Sequence, residues 1–292
     1  MIAVLMGGNS AERDVSLKSG EAVYKALVSK NIDCFKFDWN GDNLNKLWEM
    51  SFDKVFIVLH GRGGEDGFIQ KQLEEKSISY TGSNSKSSKI GMDKSVTKSY
   101  WSSNNLPVAP SVIANSNKSL PIINFPLPWA VKPTLEGSSI GISKVGKESQ
   151  LDDALKLAWK YDENAMVEKW IEGGEYTVAI LNNKSLPTIK IIADNNFYNY
   201  ESKYISDNTQ YLCPADLDPK QEAVLQTLAL QAFKVLGAKD WGRVDFIIDN
   251  NNNPFLLEIN TVPGMTDHSL VPMAAKAANI SFNELVATIA NN

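Results

Sequence analysis

The chain has 292 residues, of which 43% are hydrophobic and 22% charged, and its formal net charge is −5. This length allows two or three small domains, and the composition is typical of an ordinary soluble globular protein. The acidic balance argues against a general nucleic-acid-binding protein, and no apolar run approaches the length of a membrane span. The two cysteines, Cys34 and Cys213, are far apart and in no metal-binding spacing. We therefore expect a reducing, cytoplasmic environment without a disulfide framework.

Residues 1–93 alternate between strand-like and helix-like segments. Strands are predicted at "IAVLM", "CFKFDW" and "KVFIVLH", and helices at "SAERDVSLKSGEAVYKALVSK", which Ser10 would cap, and at "GEDGFIQKQLEEK". This βαβ order predicts a parallel, doubly wound sheet, whose ligands bind beyond the carboxyl ends of the strands. Because "MGGNSAERD" and "HGRGGEDG" each follow a strand, we expect both glycine-rich stretches to face the same crevice.

A second, smaller α/β unit is predicted to follow. It contains the helix "MDKSVTKSYWSSNN", the segment "VAPSVIA", the strand "WAVKP", the helix "LDDALKLAWKYD" and the strand "AMVEKWI". A boundary is predicted at "GGEY" (173–176). Beyond it we expect the hairpin "YTVAILNNKSLPTIKII", the helix "PKQEAVLQTLALQAFKVL" ended by Gly237, a hairpin with acidic residues, and two short helices. The second of these short helices carries a capping box at Ser281 and Glu284.

Residues 193–214 show no clear periodicity. Segments of this length within compact domains are usually lids or disordered tracts. The segment carries four tyrosines, which make it too aromatic for a disordered tract; they are Tyr198, Tyr200, Tyr204 and Tyr211. We interpret the segment as a lid, and a plain insertion is the alternative.

The hairpin "WGRVDFIID…FLLEIN" carries polar residues within two strand-like runs. Asn250–Asn253 form the turn, since asparagine tolerates left-handed backbone conformations. If Asp249 and Pro254 flank a symmetric four-residue loop, the register of the two strands follows. The opposed pairs are then Asp245 with Glu258 and Arg243 with Asn260.

These four polar side chains share one face of the hairpin, because residues two apart along a strand point the same way. Asp245 and Glu258 should repel each other unless a cation lies between them. Mg²⁺ takes carboxylate and amide oxygens, so we predict a metal site formed by these two residues and Asn260. A solvated polar face is the alternative, and a bulge would shift the register by one. The opposite face is expected to be core and consists of Val244, Phe246, Leu257 and Ile259.

The stretch "KPTLEGSSIG" (132–141) places Lys132 at the end of a strand, before a turn of small residues. Glycine and serine allow backbone N–H groups to approach an anion closely. Such turns are common, so the prediction of a phosphate site depends on further groups. Lys94 and Lys203 are candidate phosphate cations, and "EKWIEGGE" offers carboxylates to a ribose. For any single lysine the alternative is a solvated surface charge.

Arginine and histidine are scarce in this chain. Of its 29 basic residues only Arg13, Arg62 and Arg243 are arginine, and its histidines are His60 and His268. An arginine retained among so many lysines suggests a need for its planar guanidinium. All five residues fall within the polar motifs of the chain, which favours functional positions for them.

A family resemblance rests on stretches that follow one another along nearly the whole chain. They are "GGNSAERDVSLKSG", "LHGRGGEDG", "YTGS", "MDK", "VKPTLEGSSIG", "EKWIEGGEYTVAIL", "YESKY", "CPA", "WGRVDF", "EINTVPGMTDHSLVP" and "AA". In this order they resemble the D-alanine–D-alanine ligases of the ATP-grasp superfamily. One departure is Leu135, where the family often has a basic residue before the Glu-Gly-Ser-Ser turn.

The resemblance implies an α/β fold, with an N-terminal doubly wound parallel-sheet domain followed by an ATP-grasp fold made of two α+β subdomains. The implied divisions are a substrate-binding domain at 1–93, a central ATP-grasp subdomain at 94–174, and a C-terminal ATP-grasp subdomain at 175–292 with the lid loop 193–214. It also implies a cytoplasmic homodimer that neither binds nucleic acid nor inserts into a membrane.

The implied reaction joins two D-alanines into D-alanyl-D-alanine for the synthesis of peptidoglycan precursors. ATP phosphorylates the carboxylate of the first D-alanine, and the amine of the second attacks the acyl phosphate. The implied cofactors are ATP and two Mg²⁺ (or Mn²⁺) ions, the metals being held by Asp245, Glu258 and Asn260. The implied nucleotide-binding residues are Lys94, Lys132, Glu136, Ser138, Ser139, Glu168, Lys169, Trp170, Ile171, Glu175 and Lys203.

The resemblance also implies a set of substrate-binding and catalytic residues. Glu12 would orient the first ammonium, with His60 near the first carboxylate, and Arg243 and the Gly264 N–H would stabilise the oxyanion. The substrate-binding residues are Glu12, His60, Arg243, Gly264, Ser269 and Leu270, of which Ser269 and Leu270 would bind the second carboxylate. The catalytic residues are Glu12, His60, Ser138, Lys203, Tyr204, Arg243 and Gly264, among which Ser138, Tyr204 and Glu12 would close the lid.

Two other functions remain open at this point. One is another ATP-grasp carboxylate–amine ligase with a different acceptor, and the other is a nucleotide-binding regulatory protein without catalysis. The complete polar set argues against the second. D-lactate could replace the second D-alanine and give an ester. Because the lid position Tyr204 carries tyrosine, the resemblance favours a peptide product; simple packing of the lid is the alternative role for Tyr204.

Overall fold

A computed structural model describes residues 1–137, 139–192 and 209–292 of the chain. The described strands form three sheets, one parallel and two antiparallel. Within these ranges no helix is long and apolar enough to cross a membrane. The three sheets meet around the predicted polar stretches, so their arrangement positions the candidate site.

The first sheet has four parallel strands in the order β2-β1-β3-β4, as the βαβ pattern predicts. Its strands are β1 (Ile2–Gly7), β2 (Cys34–Trp39), β3 (Lys54–Ile57) and β4 (Ser79–Tyr80), and its helices are α1 (Arg13–Ser29), α2 (Leu44–Trp48), α3 (Phe68–Glu75) and α4 (Ser85–Met92). Residues 3–5 of β1 are fully buried. Such a continuous apolar run is typical of a parallel strand covered on both faces.

Ser10 does not cap α1, contrary to prediction. The helix begins at Arg13 after the N-cap residue Glu12, and no side-chain cap is present. The Ser10 hydroxyl instead donates to the carbonyl of His60 at 2.7 Å. The loop after β1 is thereby joined to the loop after β3, and the two predicted glycine-rich stretches lie side by side.

The second sheet is antiparallel, with the order β5-β8-β6-β7. Its elements are α5 (Lys94–Ser103), β5 (Ser111–Asn115), β6 (Trp129–Pro133), β7 (Ser143–Val145), α6 (Leu151–Ala158) and β8 (Asn164–Lys169). The helix predicted at 92–105 is α5, whose N-cap Asp93 accepts hydrogen bonds from the N–H groups of Ser95 and Val96. The predicted strands "WAVKP" and "AMVEKWI" are confirmed as β6 and β8.

The third sheet has the order β12-β11-β9-β13-β14, with β10 paired to β9. Its strands are β9 (Gly173–Leu181), β10 (Lys184–Ser185), β11 (Ile189–Ile192), β12 (Gln210–Leu212), β13 (Trp241–Asp249) and β14 (Pro254–Asn260), and its helix is α7 (Pro219–Val235). Of the predicted lid, residues 193–208 lie outside the described residues. Residues 210–212 pair with β11 at the edge of this sheet.

Two helices close the chain, α8 (Leu270–Ala277) and α9 (Phe282–Asn291), and α9 has the predicted capping box. Both helices share a hydrophobic core with the first sheet, to which α9 contributes Leu285, Val286 and Ile289. Lys54 of β3 also donates to the carbonyl of Ala290 at 2.9 Å. The end of the chain is thus packed against its beginning, which brings the segment between β14 and α8 next to the loops after β1 and β3.

The predicted register of the acidic hairpin is correct at the polar residues but not at the turn. Arg243 pairs with Asn260 and Asp245 with Glu258. The Asp249 N–H donates to the carbonyl of Asn253, so the loop is one residue shorter than predicted. A bulge next to Asp245 shifts the register by one residue, which compensates for the shorter loop and gives the predicted pairs.

Leu257 is the extra residue of this bulge, and the prediction that it belongs to the core is wrong. Because one inserted residue exchanges the two faces of a strand, Leu256 is buried in its place, at 1% exposure. Leu257 lines a cavity beside Glu258. Val244, Phe246 and Ile259 are buried as predicted.

Candidate active site

Two adjoining cavities collect the predicted site residues that the structure describes, except Asp245, which lines neither. The small cavity has a volume of about 140 Å³ and the large cavity about 580 Å³. The predicted residues lining the small cavity are Glu12, His60, Lys94, Arg243, Glu258, Asn260, Gly264, Ser269 and Leu270. Those lining the large cavity are Lys94, Lys132, Glu136, Ser139, Glu168, Lys169, Trp170, Ile171, Glu175 and Glu258. Lys94, Gly137 and Glu258 line both, whereas Ser138, Lys203 and Tyr204 lie outside the described residues.

A buried charge cluster lies at the wall of the large cavity. Glu168 of β8 forms ion pairs with Lys98 and Lys132, the latter with 2.7 Å between Nζ and Oε2. Each of the three side chains is only 5% exposed. Lys98 also donates to the carbonyl of Leu256 in β14, at 3.3 Å. The cluster therefore connects α5 and the second sheet to the hairpin of the third.

Burial and charge act in opposite directions on this cluster. Burial raises the pKa of Glu168, but the charges of Lys132 and Lys98 outweigh it and hold the pKa below its ordinary value. Burial lowers the pKa of Lys98, and the like charge of Lys132 acts in the same direction, against the attraction of Glu168. Sequence reasoning missed Lys98, although its position four residues after Lys94 on one helix face was a usable signal.

Glu136 anchors the glycine-serine turn through its backbone carbonyl and its carboxylate. Lys94 donates from Nζ to the carbonyl of Glu136 at 2.5 Å, and its Nζ lies 3.7 Å from Oε2 of Glu258. The Glu136 carboxylate pairs with Arg62 of the loop after β3, at 2.5 Å. Asp162 fixes the start of the turn by accepting from the N–H groups of residues 134 and 135. These contacts place the backbone of the turn against the junction of the two cavities.

His60 is a buried, satisfied histidine on the wall of the small cavity. A carbonyl can only accept, so Nδ1 carries the proton that is donated to the carbonyl of Val262 at 2.8 Å. Nε2 then accepts from the hydroxyl of Ser19 at 3.1 Å. Burial lowers the pKa of His60, and the charge of Glu12 only partly offsets this. With both ring nitrogens bonded within the protein, the ring is suited to holding the segment around Val262 in place.

Glu65 lines the small cavity and was missed by sequence reasoning, although it lies within the glycine-rich stretch "HGRGGEDG". Its Oε2 accepts from the N–H of Gly61 at 3.2 Å. Burial, together with the charge of Glu12, raises the pKa of Glu65 to about 8. The carboxyl group of Glu65 is therefore largely protonated at neutral pH.

The predicted metal ligand Asp245 is buried behind Arg243 and Asn260. Its Oδ1 accepts from Thr177 at 2.5 Å and from Nε of Arg243 at 2.8 Å, and its Oδ2 accepts from Nη2 of Arg243 at 2.8 Å and from Asn260 at 3.1 Å. Protein cations thus balance both opposed carboxylates, Arg243 on Asp245 and Lys94 on Glu258. Cross-strand repulsion therefore does not by itself require a metal between them.

The chemistry of this donor set nevertheless fits Mg²⁺, which prefers carboxylate and amide oxygens. Glu258 faces both cavities and Asn260 faces the small one. Among the described residues no group of three or more His, Cys, Asp or Glu side chains is arranged to hold a metal ion. The candidate set differs from such groups because its third member is an amide.

The segment after β14 brings the N-terminus of α8 to the small cavity. Ser269 is the N-cap residue of this eight-residue helix, and its Oγ accepts from the N–H of Thr266 at 2.9 Å. Helix N-termini present unpaired N–H groups and a partial positive charge, which suits a carboxylate. A Cβ added at Gly264 would lie 2.8 Å from Oγ of Ser269, so a side chain at this position would crowd the same corner.

Several known proteins are similar to this chain over nearly its whole length. The family model for the D-ala D-ala ligase C-terminus matches residues 110–291. A relative from Vesicomyosocius okutanii, named D-alanine–D-alanine ligase, is 65% identical over 291 residues, covering 100% of this chain and 99% of the relative. The chain belongs to the D-alanine–D-alanine ligase family. A second ligase of this name, from Alkalilimnicola ehrlichii, is 50% identical over 286 residues, with 97% and 91% covered.

Solved structures of ligases extend the comparison to the fold. The D-alanine–D-alanine ligase from Bacillus anthracis complexed with ATP aligns with a TM-score of 0.88 at 29% identity, covering 99% of this chain and 96% of that one. The VanG D-Ala:D-Ser ligase from Enterococcus faecalis aligns with a TM-score of 0.85 at 28% identity, covering 99% and 98%. The predicted fold class, a parallel-sheet domain followed by an ATP-grasp fold, is confirmed. The ligase is an ATP-dependent enzyme that uses Mg²⁺ and joins D-alanine to D-alanine.

Proposed function

We propose that the two cavities divide the ligation between them, with ATP in the large cavity and both D-alanines in the small one. The observation that carries this proposal is the shared wall formed by Lys94, Gly137 and Glu258. A phosphate at this wall would be reached from the ATP side and from the D-alanine side. Phosphoryl transfer depends mainly on such positioning and on neutralised charge, which Lys94 can supply.

In the large cavity, the end of β8 and the residues after it would bind adenosine. The segment Lys169–Ile171 offers backbone groups together with an aromatic ring, Glu175 offers a carboxylate for the ribose, and the bulge places Leu257 as an apolar wall. The phosphates would meet Lys94, Lys132 and the turn containing Glu136 and Ser139. Ser138 and Lys203, which lie outside the described residues, keep the phosphate-binding roles that the family resemblance implies.

Asp245, Glu258 and Asn260 would hold the metal, with two Mg²⁺ ions as the family resemblance implies. When bound, Mg²⁺ neutralises phosphate charge. In the described arrangement Arg243 occupies the carboxylate of Asp245. We propose that Arg243 leaves it to face the small cavity, which it already lines.

In the small cavity, three groups of the reacting D-alanines have proposed partners. Glu12 binds the ammonium of the first D-alanine, and His60 positions the segment that leads to Gly264. Arg243 and the N–H of Gly264 stabilise the oxyanion, because donors preset at the developing charge lower the barrier. The N-terminus of α8, at Ser269 and Leu270, binds the carboxylate of the second D-alanine.

The proposed reaction has two chemical steps. The carboxylate of the first D-alanine attacks the γ-phosphorus of ATP and releases ADP, which forms D-alanyl phosphate. The amine of the second D-alanine then attacks the acyl carbon, and phosphate leaves as the tetrahedral intermediate collapses to D-alanyl-D-alanine. An acyl phosphate hydrolyses in water, so closure of the site must precede its formation. Ser138, Tyr204 and Glu12 are proposed to close the lid, and only Glu12 of these lies within the described residues.

Release of ADP in the presence of ATP and Mg²⁺ tests the proposal, and it should depend strictly on D-alanine. Dependence on another amino acid would indicate a different ATP-grasp ligase, and no dependence on any would indicate a nucleotide-binding protein without catalysis.

A second experiment tests the acceptor. The structural neighbour named D-Ala:D-Ser ligase has almost the same TM-score as the D-alanine–D-alanine ligase, so overall shape does not decide the acceptor. D-alanine, D-lactate and D-serine at equal concentrations should therefore compete in one reaction, and mass spectrometry should find mainly D-alanyl-D-alanine. A depsipeptide or a D-alanyl-D-serine majority would contradict the assignment.

We further propose that the chain consists of three domains, 1–93, 94–174 and 175–292. Each of the three sheets falls mainly within one of these domains, which supports the division.

The proposed physiological setting is the cytoplasm, where a homodimer supplies D-alanyl-D-alanine for peptidoglycan. Light scattering of the purified chain should give twice the chain mass of 32.2 kDa. The mass of a single chain would exclude the homodimer.

A further inference from the structure

We propose that Lys98 is a positioning residue for ATP, because it neutralises Glu168 and so leaves the charge of Lys132 to the nucleotide. The inference rests on the proposed role of the large cavity as the ATP site. Lys132 and Glu168 line that cavity, whereas Lys98 is buried behind them, where it touches Glu168 and the carbonyl of Leu256. Lys98 therefore acts on ATP only through its neighbours.

The charge count of the cluster points in this direction. Two ammonium groups and one carboxylate, all 5% exposed, leave one positive charge in excess at the wall of the cavity. An excess buried charge is costly unless an opposite charge joins it, so the wall favours an incoming anion. A phosphate group of ATP is such an anion. Without Lys98, the pair formed by Lys132 and Glu168 would be neutral and would attract a phosphate less.

The geometry gives Lys98 a second effect on the same site. Its Nζ lies between Glu168 Oε1 on β8 and the Leu256 carbonyl on β14, which are on two different sheets. The other carboxylate oxygen of Glu168, Oε2, accepts a hydrogen bond from Nζ of Lys132 at 2.7 Å. Because each oxygen of the carboxylate has its own lysine, Lys98 fixes the orientation in which Glu168 holds the Lys132 ammonium.

The first test measures ATP binding without D-alanine, so that it does not depend on ligase turnover. Lys98→Met removes the charge but keeps a long apolar side chain in the buried site. We expect its Kd for ATP to rise roughly tenfold, the size of effect expected for a charge-assisted hydrogen bond. Lys98→Arg should recover most of the affinity. Lys89→Met, at an exposed position on the adjacent helix α4, should bind ATP like the unchanged chain.

The second test separates the charge effect from simple damage to the fold. In the double variant Lys98→Met/Glu168→Gln the carboxylate is also neutral, so the charge of Lys132 is again available. We expect the double variant to bind ATP more tightly than Lys98→Met alone, whereas a purely structural role predicts weaker binding. If Lys98→Met does not fold, the double variant is compared with Glu168→Gln alone; because Lys98 acts on ATP through Glu168, the two Kd values should lie within about threefold of each other.

Turnover measurements complete the test. Lys98→Met should raise KM for ATP while KM for D-alanine and kcat change less, because Lys98 lines neither cavity and acts only through Glu168 and Lys132. ATP affinity equal to that of the unchanged chain in Lys98→Met, or no recovery in the double variant, would overturn the role of Lys98. Failure of the unchanged chain to bind ATP at all would instead overturn the proposed nucleotide site, so the two failures are distinguishable.

Discussion

Arg62 and Glu136 form an ion pair, with 2.5 Å between Nη2 and Oε1, that joins the loop after β3 to the glycine-serine turn after β6. The two residues belong to loops on different cavities, since Glu136 lines the large cavity and Arg62 follows His60 of the small one. Nζ of Lys94 also donates a hydrogen bond to the backbone carbonyl of Glu136. The turn that would touch phosphate is therefore anchored to the loop that would touch D-alanine.

Replacement of Arg62 by alanine should affect ATP binding and leave stability almost unchanged. The side chain is 55% exposed, and exposed ion pairs contribute about 0–1 kcal/mol to folding. Loss of the guanidinium leaves the Glu136 carboxylate uncompensated beside the phosphates, so KM for ATP should rise roughly threefold to tenfold. Arg62→Lys should restore part of the loss, because a lysine keeps the charge but not the fork.

A matched control for Arg62 is the exposed ion pair between Lys36 and Glu21, with 2.8 Å between Nζ and Oε2. Lys36→Ala should leave both the unfolding midpoint and KM for ATP unchanged. Steady-state kinetics and thermal unfolding of the three variants check the prediction. An unchanged KM for ATP in Arg62→Ala would show that the ion pair does not position the turn.

Some of the site was predictable because its residues are neighbours in sequence as well as in space. The predicted pairing of Asp245 with Glu258 is correct because the bulge offsets the shorter turn, and period-two alternation places Arg243 and Asn260 on the same face. Even there, one bulge exchanged the expected positions of Leu256 and Leu257. A bulge of this kind depends on what the strand packs against, which a local pattern does not contain.

Other residues could not be predicted because their partners are distant in sequence. Thr177 meets Asp245 only through the register of β9 against β13, and Lys98 meets Glu168 across 70 positions. Glu65 lies in a recognisable glycine-rich stretch, but its raised pKa depends on burial and on Glu12. The alternation of strands and helices predicts the parallel sheet well, whereas contacts between sheets depend on tertiary packing.

Glu258→Gln should remove ligase activity and leave the fold intact. Glu258 lines both cavities and its side chain is 20% exposed, so glutamine replaces it without loss of core packing. The substitution takes away a carboxylate that would hold Mg²⁺ and that pairs with Lys94. We expect a decrease in kcat on the order of 100-fold. Activity close to that of the unchanged chain in saturating Mg²⁺ would contradict the metal role, and circular dichroism would establish that the fold is retained.

Thr177→Val should destabilise the ligase through the buried carboxylate of Asp245. The Thr177 hydroxyl, which is fully buried, donates to Oδ1 of Asp245 at 2.5 Å. Valine has nearly the same shape but no donor, so the carboxylate loses a hydrogen bond without gaining solvent. The free energy of unfolding should fall by about 1–3 kcal/mol in urea titrations.

Thr177→Ser is the matched control, because serine keeps the hydroxyl and loses only a methyl group. We expect it to be less destabilised than Thr177→Val. If both variants lose the same free energy of unfolding, packing and not the hydrogen bond to Asp245 explains the effect.

Glu65 should make the stability of the ligase depend on pH. Its pKa is raised to about 8 from an ordinary value of 4.5, mainly by burial. The folded state therefore binds the proton more tightly than the unfolded state. The stability that Glu65 contributes is fully present below pH 4.5 and is lost as the pH rises through about 8. Metal-free protein is needed for the measurement, since ions near Glu258 would shift the titration.

Glu65→Gln tests this dependence because glutamine resembles the protonated acid at every pH. Urea unfolding of both proteins between about pH 5 and about pH 8.5 should show the unchanged chain losing stability relative to the variant as the pH rises. Parallel stability curves for the two proteins would mean that Glu65 titrates normally.

Gly264→Ala should weaken D-alanine binding without affecting ATP binding. A Cβ at this position would lie 2.8 Å from Oγ of Ser269, which is tighter than real Cβ contacts allow. The crowding would displace either the Gly264 N–H or the N-terminus of α8, and both are proposed to bind the D-alanine groups. We therefore expect KM for D-alanine to rise at least roughly tenfold, a size of effect expected when charge-assisted hydrogen bonds are disturbed, with the Kd for ATP unchanged.

Two further variants identify the cause of the Gly264 effect. Gly146→Ala is the control, because the nearest neighbour of its Cβ, Gln150 Oε1, would lie at 3.7 Å. It should leave the binding of both D-alanine and ATP unchanged. Adding Ser269→Ala to Gly264→Ala removes the clashing oxygen and leaves the Ser269 Cβ at 3.7 Å. If crowding is the cause, the double variant should bind D-alanine better than Gly264→Ala alone. If the double variant binds more weakly, the Ser269 hydroxyl itself is needed for D-alanine, and the crowding explanation fails.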